Sequence, residues 1–174
     1  MILELESMAI DLPAVAGHPN REPFRGVLTL IGVPSDRAPA GARGHRVILT
    51  RAAAETALPS LLGMALDYAP TLDRHDAQRK VGIITRADIV GRELELSGYL
   101  FAKDFPEIVH EIEQSGVEGQ QESPARLGMS YEITDVRVAD LRANVWTLTQ
   151  VTFTGAAILR RDKAAYSDTW IELE

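Results

Sequence analysis

Residues 93–101 read Glu-Leu-Glu-Leu-Ser-Gly-Tyr-Leu-Phe, an alternation that puts Leu94, Leu96, Gly98 and Leu100 on one side. A period of two belongs to a strand with one buried face, whereas a helix would scatter these residues around its circumference. Val81–Thr85 reads as a second strand, and the two are joined around Val90-Gly91. Glycine adopts the positive φ that a tight hairpin turn demands, so this stretch predicts a β-hairpin at the centre of the chain.

Other segments add to it. Arg25–Val33 is a short apolar run bounded by Pro23 and Pro34, and it predicts a strand. Ser35–Arg46, rich in Gly, Pro and Arg, reads as an exposed loop, and Val47–Leu49 as a short strand. Thr50 is placed to cap a helix through RAAAETAL, and Pro59 to break that helix or restart it as a short turn. Tyr68–Lys80 is polar and irregular. Asp104 and Pro106 open a second helix, whose Ile108, Val109 and Ile112 form a core-facing stripe. Leu127–Val138, Val145–Thr154 and Thr169–Glu174 complete the strand candidates. Many strands and scattered helices predict an α+β domain, a barrel or curved sheet with helices packed outside. The expected organisation is one domain over 1–174, with 1–24 as an N-terminal arm and the Gly- and Gln-rich stretch 116–126 as a mobile loop.

Composition removes whole classes of chemistry. The chain lacks Cys, which excludes disulfides, thiolate nucleophiles, Fe–S clusters and Cys-type zinc sites. With 18 Lys+Arg against 25 Asp+Glu the net charge is -7, the wrong sign for coating nucleic acid. The apolar runs Leu61–Leu66 and Val27–Val33 are far shorter than the ~20 residues of a spanning helix. Acidic residues stand where a secretory signal carries basic ones, so neither a leader nor a membrane partner is expected. P-loop, dinucleotide-binding and His-Glu-x-x-His motifs are missing from the sequence.

Of the four histidines, His18 and His45 sit in Gly-containing loops and read as solvated, and His110 reads as a surface residue of the second helix. None is spaced with another as a pair of metal ligands, so neither metal nor cofactor is expected. His75, in Asp-Arg-His-Asp ahead of Val81-Gly82, stands where a loop residue projects into a cleft at a sheet edge. Ser130 lies in Leu-Gly-Met-Ser-Tyr-Glu. Gly128, two positions earlier, permits close approach of backbone, as a substrate strand or an oxyanion requires. A serine hydroxyl needs a base to take its proton, and histidine is the usual one.

His75 with Val81-Gly82, then Leu-Gly-Met-Ser130-Tyr-Glu, then the strand from Trp146 through Thr-Gly-Ala-Ala resemble, in order and spacing, the prohead (capsid maturation) serine proteases of tailed phages. The match spans roughly residues 47–166, with 55 residues between His75 and Ser130. The resemblance implies an assemblin-like β-barrel wrapped by helices, Ser130 as nucleophile and His75 as general base. It also implies oxyanion support from Arg160 or Arg161, and a third catalytic member at Thr152 or Gln150. Neither Thr152 nor Gln150 is an acid or an imidazole, which departs from the family. Asp73, Asp76, Glu132 and Asp135 are the acids that could substitute.

The function so implied is a serine endopeptidase processing scaffold or capsid protein in the host cytoplasm, on the assembling phage head. Its partners would be the scaffold and major capsid proteins and further copies of itself. The alternatives are a catalytically weakened protease-fold component of the particle, favoured by the missing third member, and an unrelated binding module.

Overall fold

Val90 and Glu93 face each other across the expected hairpin turn, where Gly91 takes φ +59°. The computed structural model describes residues 8–13, 15–115 and 127–174. The loop expected at 116–126 and the first seven residues of the expected arm lie outside them. In chain order the elements are β1 (Met8–Ala9), β2 (Glu22–Leu30), β3 (Arg46–Leu49), α1 (Arg51–Ala57), β4 (Ala65–Tyr68), β5 (Lys80–Val90), β6 (Glu93–Leu100), α2 (Pro106–Ser115), β7 (Leu127–Val138), β8 (Val145–Arg160) and β9 (Trp170–Leu173).

Local signals behave as their chemistry demands. Thr50 caps α1 by accepting the Ala53 N–H at 3.2 Å, and Pro59 turns the chain into a short 3-10 segment, Leu58–Leu61. Ile108 and Ile112 of α2 are buried, with Val109 packed beside them. Leu94, Leu96, Gly98 and Leu100 are all buried.

Several strands depart from expectation: β1 was not anticipated, β2 begins at Glu22 instead of Arg25, and β5 runs on from Thr85 to Val90. β8 continues six residues beyond Thr154, to Arg160, and β4 was not anticipated at all. Leu66, Asp67 and Tyr68 of β4 are buried in succession: Leu66 and Tyr68 lie in the main core, and Asp67, on the other face, lies against His75 and Lys80. A strand enclosed on both faces loses the alternation by which strands are recognised.

The sheet runs β3-β8-β4-β5-β6-β2-β9, with β1 on β5 and β7 on β8. Its spine is β8. One edge pairs with β7, and the other pairs in parallel first with β3 and then with β4. The sheet curls enough to bring Met129 of β7 against Gly26 of β2, strands that are not ladder neighbours. It is a half-barrel and not the closed barrel expected. The end strands β3 and β9 are unpaired with each other, and between β7 and β9 a side chain replaces the ladder: Met129 N–H donates to Thr169 Oγ1 at 3.1 Å. Among the described residues no helix is long and apolar enough to cross a membrane.

Candidate active site

β7 sorts its side chains by alternation. Leu127 and Met129 are buried in the main core, against which Tyr131 and Ile133 also pack. Gly128, Ser130 and Glu132 therefore share the opposite face. In register, Ser130 is paired with Ala157 of β8, and Ala157 is paired on its other edge with Asp67 of β4. Ser130, Ala157 and Asp67 thus form one rung across three strands. At a strand spacing of ~4.8 Å the Cα atoms of Ser130 and Asp67 stand about 10 Å apart. A ring with nitrogens about 2.2 Å apart and a hydrogen bond of about 2.8 Å at each end spans roughly 8 Å, so a single imidazole fits between the two side chains. Between them Ala157 offers only a methyl, itself buried with Leu159 and Ala164.

The imidazole at the acid end of this rung is that of His75. Its Nδ1 lies 3.2 Å from Glu132 Oε1 and 3.7 Å from Asp67 Oδ2. The Ala69–Arg79 segment that carries it is tied down at several points. Asp67 Oδ1 accepts the Asp76 N–H at 3.0 Å, Leu72 O accepts the Arg160 N–H at 2.8 Å, and the Arg79 guanidinium reaches Glu107 at 2.7 Å. Lys80 Nζ lies 3.8 Å from Asp67 Oδ2. Glu132 reaches over β8 because residue 155 is glycine, where a Cβ would stand 2.9 Å from Glu132 Oε2.

The two acids differ in kind. Burial pushes Asp67 upward, but the facing His75 ring and the Asp76 amide outweigh it and hold the carboxyl below its usual range. Burial first, and then the charge of Asp67, push Glu132 above its usual range. Of two close carboxylates Glu132 is therefore the one that takes a proton, and Asp67 the one that keeps its charge.

His75, Ser130 and Glu132 line a cavity of about 970 Å³. Its walls include the Ala38–Arg43 loop, Val136, Leu141 and Trp146, together with the cations Arg74 and Lys163. Ser130 and His75 share this wall without a hydrogen bond to each other among the described residues.

The other sequence expectations fall elsewhere. Gln150 donates to the Asp135 carbonyl at 3.4 Å and Thr152 is paired with Thr134. Neither is among the residues lining the cavity, and the groups facing His75 Nδ1 are Asp67 and Glu132 instead. The departure lies in the course of β8, which carries both residues several positions upstream of Ala157. Arg160 is engaged by Asp162 at 3.1 Å. Arg161 runs its stem over Gly128 and donates to Ser167 O at 2.7 Å. A Cβ at Gly128 would stand 2.6 Å from Thr169 Oγ1, so the close approach expected there is made by the chain's own Thr169 and Arg161. His45 is not simply solvated, since its ring stacks on Trp146 at 4.5 Å.

Among the four acids considered from sequence, Glu132 reaches His75, while Asp67 was missed. The available signal was an acid directly after the apolar run Leu61–Leu66. Ionised residues are seldom fully buried unless a partner holds them, and an acid at that place invites the question of what does.

No known protein-family model matches the chain, and no curated protein is similar to it in sequence. Among solved structures, the crystal structure of KSHV protease in complex with a hexapeptide phosphonate inhibitor is similar, with a TM-score of 0.46 and 11% identity over 79% of this chain. The chain spans 59% of that protein's length. This neighbour is a herpesvirus protease and not a phage prohead protease. A likeness so distant decides neither fold family nor chemistry.

Proposed function

We propose that the chain is a serine hydrolase of the endopeptidase type, with Ser130 as nucleophile, His75 as general base and Asp67 as the buried acid that orients it. The observation that supports this most is the rung Ser130–Ala157–Asp67, with His75 Nδ1 turned toward the acid end. Asp67, charged and shielded from water, favours the tautomer with the proton on Nδ1, which leaves Nε2 free to accept the Ser130 proton. The alkoxide attacks the scissile carbonyl, and the imidazolium returns its proton to the leaving amine. Arg161, whose stem crosses Gly128 two residues from Ser130, supports the oxyanion once its guanidinium leaves the Ser167 carbonyl that holds it. Apolar groups from the 38–43 loop, Val136, Leu141 and Trp146 receive a substrate side chain.

The motif resemblance points to scaffold or capsid protein of an assembling phage head as the substrate, met in the host cytoplasm. A second reading, a weakened protease-fold component of the particle, is favoured by the missing Ser130–His75 hydrogen bond. Catalytic hydrogen bonds are often long in free enzymes, so the first reading is preferred. The test is to incubate the chain with phage scaffold and major capsid proteins, and to treat it separately with a fluorophosphonate. Cleavage and Ser130 labelling, both lost in Ser130→Ala, support the hydrolase. Intact substrate together with an unlabelled Ser130 overturns it in favour of the structural component.

A further inference from the structure

Asp67, His75 and Glu132 come from three separate segments, yet one ligand atom of each lies within 4.8 Å of the others. Asp67 has no exposed side-chain surface. Its Oδ2 and His75 Nδ1 are both buried without a hydrogen-bond partner. Nδ1 is 3.2 Å from Glu132 Oε1, yet the two are not aligned as donor and acceptor. Buried polar atoms that converge without well-aligned partners call for a bound water or ion between them.

The spacing agrees. Nitrogen and oxygen donors about 2.0–2.2 Å from one tetrahedral ion stand about 3.3–3.6 Å apart, and the separations from Nδ1 are 3.2 and 3.7 Å. His75 and Glu132 line the cavity whereas Asp67 lies behind it, so a fourth position opens to the cavity. Lys80 is the one cation within 4 Å of these carboxylates among the described residues. Its ammonium, on a side chain 38% exposed, is free to swing aside.

We propose that Asp67, His75 and Glu132 form a binding site for a divalent cation of the zinc type, and that its occupancy switches the hydrolase off. Binding itself follows from the ligand set alone. The inhibitory consequence rests on the proposed hydrolase reading. A metal on Nδ1 takes the place of the proton there, and a neutral imidazole then carries its single proton on Nε2. That nitrogen becomes a donor and no longer accepts the Ser130 proton. One proton leaves Glu132 or His75 as the ion binds.

Zinc chloride is titrated calorimetrically into chelator-stripped Ser130→Ala protein, so that binding is read without activity. One ion per chain is expected, with a heat that depends on the buffer's ionisation enthalpy and a rise in melting temperature. Asp67→Asn and, separately, Glu132→Gln should each weaken binding at least ten-fold. The conservative pair guards against loss of fold, which circular dichroism checks. An unsaturable heat, or binding unchanged in both variants, overturns the site. In the wild-type chain, zinc should slow fluorophosphonate labelling of Ser130 at least ten-fold, and EDTA should restore it. Binding without slowed labelling overturns the inhibitory part. An unlabelled Ser130 in EDTA overturns the hydrolase reading and leaves the calorimetric result standing.

Discussion

Asp67→Asn tests the division of labour between the two acids. The amide keeps its side-chain oxygen, so the bond from the Asp76 N–H at 3.0 Å is retained and the loop carrying His75 stays anchored. What is lost is the charge facing Nδ1 at 3.7 Å. When His75 becomes imidazolium in the transition state, that charge contributes about 4.5 kcal/mol at an effective dielectric of ~20. At 1.36 kcal/mol per decade this is roughly a thousand-fold in rate. The amide NH₂ facing Nδ1 also favours the wrong tautomer, which brings the expected loss toward the ~10⁴ seen for the equivalent change in one well-studied triad. The assay needs no substrate. The second-order rate of fluorophosphonate labelling at Ser130 is measured by mass spectrometry in EDTA, with circular dichroism to confirm the fold. Glu132→Gln, replacing a carboxyl already disposed to hold a proton, should change that rate less than ten-fold. Labelling of folded Asp67→Asn at the wild-type rate would refute the assignment, and a thousand-fold loss confined to Glu132→Gln would exchange the roles.

The same pair makes stability depend on pH. Glu132 is raised in the folded state, so its protonation stabilises the fold below the ordinary glutamate pKa, and that contribution is lost as pH rises through the raised value. Glu132→Gln in EDTA should therefore melt higher than the wild-type chain at pH 7, with the gap closing toward pH 4; an equal gap at both pH values would count against the raised carboxyl. Gly155→Ala sets a methyl 2.9 Å from Glu132 Oε2 and 3.2 Å from Ala65 O, and should cost about 1–3 kcal/mol in urea unfolding while displacing Glu132 from His75. Thr50→Ala removes the cap of α1 and should cost about 1 kcal/mol in the same measurement, whereas no loss would mean that the hydroxyl's bond to Ala53 N–H contributes nothing.

Much of this molecule is written locally. The central hairpin follows from a Leu alternation and one glycine, the start of α1 from one threonine, and the buried stripe of α2 from spacing. Nucleophile and base were also legible as residue types, because few other side chains combine reactivity with a place in a loop or at a strand start, and the absence of cysteine left serine as the natural candidate. β4 was not legible, since burial of both its faces erases its alternation. Nor was the turn of β8 from one parallel partner to the next, because register is set by contacts between segments far apart in the chain. That register is what puts Asp67 opposite Ser130 across Ala157, and glycine at 155 is what lets Glu132 join His75. Residue chemistry is local and survives in the sequence. The acid that meets a histidine is chosen by strand pairing, and only the tertiary structure decides it.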